Sequence, residues 1–179
     1  MDFDTICIHG NGDKNDQTGA VSVPIFQTAT FSHLGVGKST GYDYSRLQNP
    51  TREHLEKTVA KLENGLDAMA FTSGMAAINT LMELFAPGDH IIASNDLYGG
   101  TYRLFSNISQ KNGISFDLVN TSIIDQIESH ITPQTRAIII ETPTNPMMRV
   151  SDIVAVSRLA KLNDLLLVVD NTFLSPYYQ

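Results

Sequence analysis

The sequence predicts an α/β protein: a mostly parallel sheet with helices on both faces, preceded by an extended N-terminal arm. Three observations carry this prediction. Short runs such as "HIIAS", "RAIIIET" and "LLLVVD" are apolar at nearly every position, as strands covered on both faces must be. The first two are each followed by a stretch of helical period, and that alternation is the signature of parallel strands joined by crossover helices. Before residue 49 neither period is sustained, and Gly, Ser, Thr and Asp dominate.

The elements follow in order. Residues 1–48 read as an arm, and 49–179 as a domain. Asn49 and Pro50 suit the N-cap and first turn of a helix in which Leu55, Val59 and Leu62 recur at helical spacing, and Gly65 closes it. "DAMAFTS" is expected as a short buried strand and "GMAAINTLMELF" as a helix stopped by Pro87-Gly88-Asp89. "HIIAS" is a strand, "GTYRLFSNISQKNG" a helix ended by Gly113, and "ISFDLVN" a strand. "TSIIDQIESHI" is a helix in which Ser122 and Asp125 have the spacing of a capping box. "RAIIIET" is a strand, "SDIVAVSRLAKLND" a helix, and "LLLVVD" the last strand. No internal repeat or low-complexity segment interrupts this pattern.

Composition narrows the function classes. The chain has 179 residues and a formal charge of −7, with no basic stripe, which argues against nucleic acid and anionic membranes as partners. Its longest apolar runs are far short of a bilayer span. The opening "MDFDTICIHG" is acidic and unlike a signal peptide, so a cytoplasmic protein is expected. The lone Cys7 has no internal disulfide partner and reads as a small buried or semi-buried residue. The histidines at 9, 33, 54, 90 and 130 have no metal-ligand spacing, and no metal is assigned.

In a parallel sheet of this kind ligands sit beyond the carboxyl ends of the strands. The residues there are "TSGM", "NDLYGG", "ETPTNP" and "DNT". In "FTSGMAA", Ser73 and Gly74 open a helix whose free N–H groups suit a phosphate, although Gly74 equally makes a tight turn. Neither a Walker loop nor a G-x-G-x-x-G fingerprint is present. Asp170 ends an apolar strand; it either caps a turn through Asn171 and Thr172 or faces a cation or protonated ring nitrogen. "ETPTNP" is a stiff loop, open to cis proline, that brings Glu141 and Asn145 to the same edge. Tyr98, ahead of two glycines, suits stacking over a flat ligand, although such a tyrosine is more often simply half-buried.

Five segments, "GYDYSRLQNPTREHLEKTVAKLENG", "AFTSGMAAI", "DLYGGTYRLF", "ETPTNP" and "VVDNTF", stand in an order and spacing that resemble the cystathionine γ-synthase, cystathionine lyase and methionine γ-lyase family. The resemblance covers nearly the whole chain. It implies the large domain of an aspartate-aminotransferase-like, fold type I enzyme that uses pyridoxal 5′-phosphate (PLP), acting on amino-acid substrates in sulfur metabolism.

The resemblance also implies residue roles. Gly74 and Met75, beside Ser73, match donors to the PLP phosphate. Tyr98 matches the ring-stacking residue and is the catalytic candidate. Asp170 matches the partner of the pyridine nitrogen, Asn145 lies near the phenolic oxygen, and Thr172 is on the same edge. Tyr44 and Arg46 match residues that reach a neighbouring subunit's phosphate, which implies a homo-oligomer, a dimer of dimers. The family's Schiff-base lysine sits beyond "DNTF" in a Ser-x-Thr-Lys segment, and the chain ends first. The 179 residues are therefore expected to be an inactive N-terminal portion lacking the C-terminal domain. Gly100 stands where methionine γ-lyase-like members carry cysteine, which points to a cystathionine γ-synthase or cystathionine lyase. Methionine γ-lyase or O-acetylhomoserine sulfhydrylase activity and a non-catalytic PLP-binding or assembly module are the alternatives.

Overall fold

The computed structural model describes residues 1–10, 12 and 19–179; positions 11 and 13–18, within the expected arm, lie outside the described residues. The chain forms two compact units, Met1–Phe71 and Thr72–Gln179.

In the second unit, α3 (Gly74–Met82) leads into β1 (His90–Ser94), and α4 (Gly99–Leu104) into β2 (Ser115–Val119). Then follow α5 (Ile124–Ser129), β3 (Thr135–Glu141), α6 (Ile153–Leu162) and β4 (Leu166–Asp170). All pairings are parallel, in the order β2-β1-β3-β4. Side chains alternate across the pleat. Ile91 and Ala93 of β1 therefore join Ala137 and Ile139 of β3 on one face, packed with Met82, Leu104 and Phe105. Ile92, Ile138 and Ile140 point to the other face, against Ile127 of α5 and Val156 and Leu159 of α6. The sheet is covered by helices on both sides, as its apolar strands require.

The chain runs outward from β1 to β2 and then returns to β3 on the opposite side of β1. That reversal between β1 and β3 is the place where such sheets open a crevice at their carboxyl ends. A buried chain of hydroxyls runs past the carboxyl ends of β1, β2 and β3. Ser94 meets Thr121 at 2.7 Å, Thr121 meets Ser151 at 2.9 Å, and the Ser151 N–H donates to Thr142 Oγ1 at 3.1 Å.

In the first unit, α1 (Phe3–His9) is capped by Asp2, whose carboxylate accepts the Thr5 N–H at 3.1 Å. It ends at Gly10, φ +63°, where an added Cβ would lie 2.6 Å from the His54 ring. The helix α2 (Pro50–Leu62) has Asn49 as N-cap and Pro50 in its first turn, as expected. An antiparallel bridge joins Thr30 to Tyr44, and the Phe26 N–H donates to Thr51 Oγ1 at 2.9 Å. Local pairing thus organises much of a segment whose sequence shows no period, and α1 is a helix the periodicity did not announce.

Several expectations are corrected. Residues 67–73 are not a buried strand; they pair with no other strand among the described residues, and Met69 is 74% exposed. A strand needs a ladder partner, and this segment's N–H groups turn to side chains instead: Ala68 donates to Asp67 Oδ1 and Ala70 to Glu56 Oε1, both at 2.9 Å. The helix after β1 is α-helical only to Leu104 and then widens to a π-turn over Phe105–Ser109, with Phe105 stacked on Phe116 at 4.4 Å. The Ser122–Asp125 capping box does not form, because Asn120 Oδ1 takes both the N–H and the hydroxyl of Ser122. At the end of α2 it is Asn64, φ +51°, that turns left-handed, and the Gly65 N–H returns to Ala60 O at 2.8 Å. β4 is half-buried, not fully buried, since it is an outer strand. Cys7 is exposed, because Ile6 takes the inward position on α1.

Candidate functional site

A cavity of about 680 Å³ opens at the carboxyl ends of β3 and β4, beside the start of α3. Ser73, Gly74, Met75, Tyr98, Asn145, Asp170 and Thr172, all picked out from sequence, line it together. Tyr44 and Arg46 belong to the first unit. There the Arg46 guanidinium lies 4.8 Å from the Tyr44 ring centroid, and Arg46 borders a groove with Arg52 and Lys57.

Each wall has a local cause. Ser73 is the N-cap of α3, its hydroxyl accepting the Ala76 N–H at 3.1 Å. The next two N–H groups, on Gly74 and Met75, belong to the helix turn that has no intrahelical acceptor. A Cβ added at Gly74 would meet nothing within 4 Å, so a ligand oxygen can approach the backbone there.

Tyr98 is 48% exposed, and its ring lies against Gly100. A Cβ at position 100 would stand 2.5 Å from Tyr98 Cε1 and 2.9 Å from Met75 Sδ. No positive φ is involved at Gly100; the glycine makes room for the aromatic ring and the thioether. The carboxylate of Asp170 is half-buried, not buried as its strand suggested. Its Oδ1 accepts both the N–H (3.1 Å) and the hydroxyl of Thr172, while no hydrogen bond engages Oδ2 among the described residues. The turn-capping contacts thus occupy one oxygen of Asp170 and leave the other facing no donor among the described residues.

Glu141, which the sequence brought to this edge without a role, ends β3 opposite Asp170 of β4. It is 7% exposed, and its two oxygens accept the Tyr98 N–H at 2.7 Å and the Asn145 N–H at 2.8 Å. Burial is the largest influence on its titration and holds the carboxyl above the ordinary range. The charges of Asp170 and Asp96 push the same way, against the pull of the two N–H groups. Asp96, also unremarked in the sequence, accepts the Thr144 hydroxyl and the Met147 N–H (3.1 Å). Both X-Pro bonds of this loop, Thr142–Pro143 and Asn145–Pro146, are cis. The apolar part of the lining, Ile78, Val168 and Phe173, was signalled only by spacing: Val168 lies two residues before Asp170, on the same side of its strand.

The arrangement fits PLP on its own chemistry. It combines helix-start N–H groups for a phosphate, a carboxylate oxygen that has no partner among the described residues for a ring cation, and an aromatic ring with apolar walls for a planar heterocycle. The comparisons agree. A family model for Cys/Met metabolism PLP-dependent enzymes matches residues 4–179. The cystathionine gamma-synthase/O-acetylhomoserine (thiol)-lyase of Bacillus subtilis is 51% identical over 169 residues, 94% of this chain and 45% of that protein. A cystathionine gamma-lyase of the same organism is 47% identical over 175 residues, 98% of this chain and 46% of that protein. The crystal structure of cystathionine gamma-lyase from Lactobacillus plantarum complexed with L-serine superposes with a TM-score of 0.93 at 49% identity, covering 99% of this chain and 46% of that one. The chain thus spans about half the length of the relatives it matches. No helix among the described residues is long and apolar enough to cross a membrane. With a cavity of this chemistry and similarity running along nearly its whole length, the chain belongs to the Cys/Met metabolism PLP-dependent enzymes.

Proposed function

We propose that the cavity of the second unit holds PLP and that the complete protein is a cytoplasmic transsulfuration enzyme of the cystathionine γ-synthase or cystathionine lyase type. Its reaction is elimination or replacement at the β or γ carbon of a sulfur amino acid. The observation that carries this reading is Asp170: a carboxylate with one oxygen that meets no donor among the described residues, in the same cavity as the open N-terminus of α3. PLP, once bound, supplies the electron sink that stabilises a carbanion at the substrate α-carbon. Asp170 holds the proton on the ring nitrogen, without which that sink is weak. Gly74 and Met75, with Ser73, bind the phosphate through N–H and hydroxyl groups, and Tyr98 covers one face of the ring. Asn145 orients the phenolic oxygen, and Thr172 holds Asp170 in place through its N–H and hydroxyl.

Tyr44 and Arg46 are assigned to a neighbouring subunit's phosphate in a dimer of dimers, with the N-terminal segment as the inter-subunit limb. The guanidinium fork is the right donor for that anion. The 179 residues alone are proposed to lack turnover, since among the described residues carboxylates, amides, hydroxyls and apolar groups line the cavity and no amine does.

The test is titration of the full-length protein with PLP, followed by release of keto acid from cystathionine. Binding with turnover supports the reading. An absence of PLP uptake at micromolar concentrations overturns it.

A further inference from the structure

We propose that Glu141 is the positioning residue of this cavity, a two-armed clamp that sets Tyr98 and Asn145 relative to one another. Its importance to the cofactor rests on the PLP reading above. Tyr98 follows β1 and Asn145 follows β3, so nothing local to either loop relates their positions. Each offers a main-chain N–H, and neither N–H has another acceptor among the described residues; both converge on the two oxygens of one buried carboxylate.

The clamp is anchored from behind. The Glu141 N–H donates to Ser94 Oγ at 3.1 Å, and Ser94 opens the buried hydroxyl chain through Thr121 to Ser151. A second carboxylate ties the same loops in the opposite sense: Asp96, after β1, reaches the Thr144 hydroxyl and the Met147 N–H beyond β3.

The chemistry explains why a carboxylate stands here despite the cost of burying it beside Asp170. Two N–H donors need two acceptors in one plane, which ionised Glu provides. Gln has one acceptor, and its amide nitrogen would oppose the second donor. Asp is shorter by one methylene and cannot span the same pair from the same backbone position. The raised proton affinity of Glu141 reflects the same burial, and the two N–H groups are what keep the carboxylate usable as an acceptor there.

The experiment compares the full-length protein with E141Q and E141A by amide hydrogen exchange, without PLP and then with it. In E141A the Tyr98 and Asn145 amides are expected to exchange on the order of tenfold faster or more, while amides of β1 and β3 keep their protection. E141Q, an isostere that guards against misfolding of E141A, is expected to release one of the two. PLP affinity should fall on the order of tenfold in both variants, as expected on losing a charge-assisted hydrogen bond. The visible circular dichroism of the bound cofactor should change with it. Unchanged exchange at both amides overturns the clamp. Faster exchange with PLP affinity and visible spectrum as in wild type overturns its service to the cofactor. If wild type itself takes up no PLP, the functional reading falls, and the exchange arm still decides the clamp.

Discussion

At Asp170 one carboxylate oxygen is already engaged by Thr172, so the charge that reaches the cavity is carried by the other. Asp170→Asn keeps the Thr172 contacts but removes that charge. We expect it to lower kcat by about 10²-fold or more, the scale of losing a placed electrostatic group, with PLP content nearly maintained by the α3 N-terminus. Steady-state kinetics beside cofactor absorbance checks this; near wild-type kcat at full PLP content would remove Asp170 from its role. Gly100 is a separate test of geometry. Gly100→Ala puts a methyl into contact with Tyr98 and Met75, and both side chains must give way. Overpacking of this kind costs roughly 1–3 kcal/mol, at the low end here because the Tyr98 ring is half exposed. The expected outcome is a small loss in urea stability with a clear loss of PLP affinity; equal affinity would show that the ring position does not matter.

Among the elements, α6 depends on the cap at its start. Asp152 accepts the Ala155 N–H at 3.0 Å, and the helix closes where Asp164 turns left-handed and the Leu165 N–H returns to Ala160 O at 2.9 Å. Asp152→Ala is expected to cost about 1 kcal/mol in urea unfolding. Ser122→Ala, at the capping box that does not form, should stay within about 0.5 kcal/mol, and a larger loss would restore the box. In α2, Glu53 pairs with Lys57 at 2.6 Å and accepts the Tyr42 hydroxyl, and these partners hold its carboxyl below the ordinary range. The folded state therefore releases this proton at lower pH than the unfolded chain. The contribution is complete above about pH 4.5, the ordinary carboxyl value, and is lost as pH falls through the lowered one. Glu53→Gln should flatten the acid side of the stability curve, measured by urea unfolding between pH 6 and pH 3.

For the molecule as a whole, cofactor binding and assembly are expected to support each other, because Arg46 is assigned to a phosphate in a neighbouring subunit. Arg46→Ala should weaken PLP affinity and loosen the oligomer together, by roughly 1.5–3 kcal/mol per charge-assisted hydrogen bond. PLP titration beside analytical ultracentrifugation checks it; a change in one without the other would break the link. The alternation of strands and helices could be read from the chain before any coordinates. So could the Asn49 cap and the polar residues that gather beyond β3 and β4. These depend on periodicity and capping within a few neighbours. The strand order β2-β1-β3-β4 could not, nor could the outer, half-buried place of β4, the lack of a strand partner for residues 67–73 among the described residues, or the reach of Glu141 to two loops at once. Hydrophobic period says that a strand is buried but not which strand lies beside it. Glu141 meets Tyr98, 43 residues earlier in the chain, only because β3 comes to lie against β1.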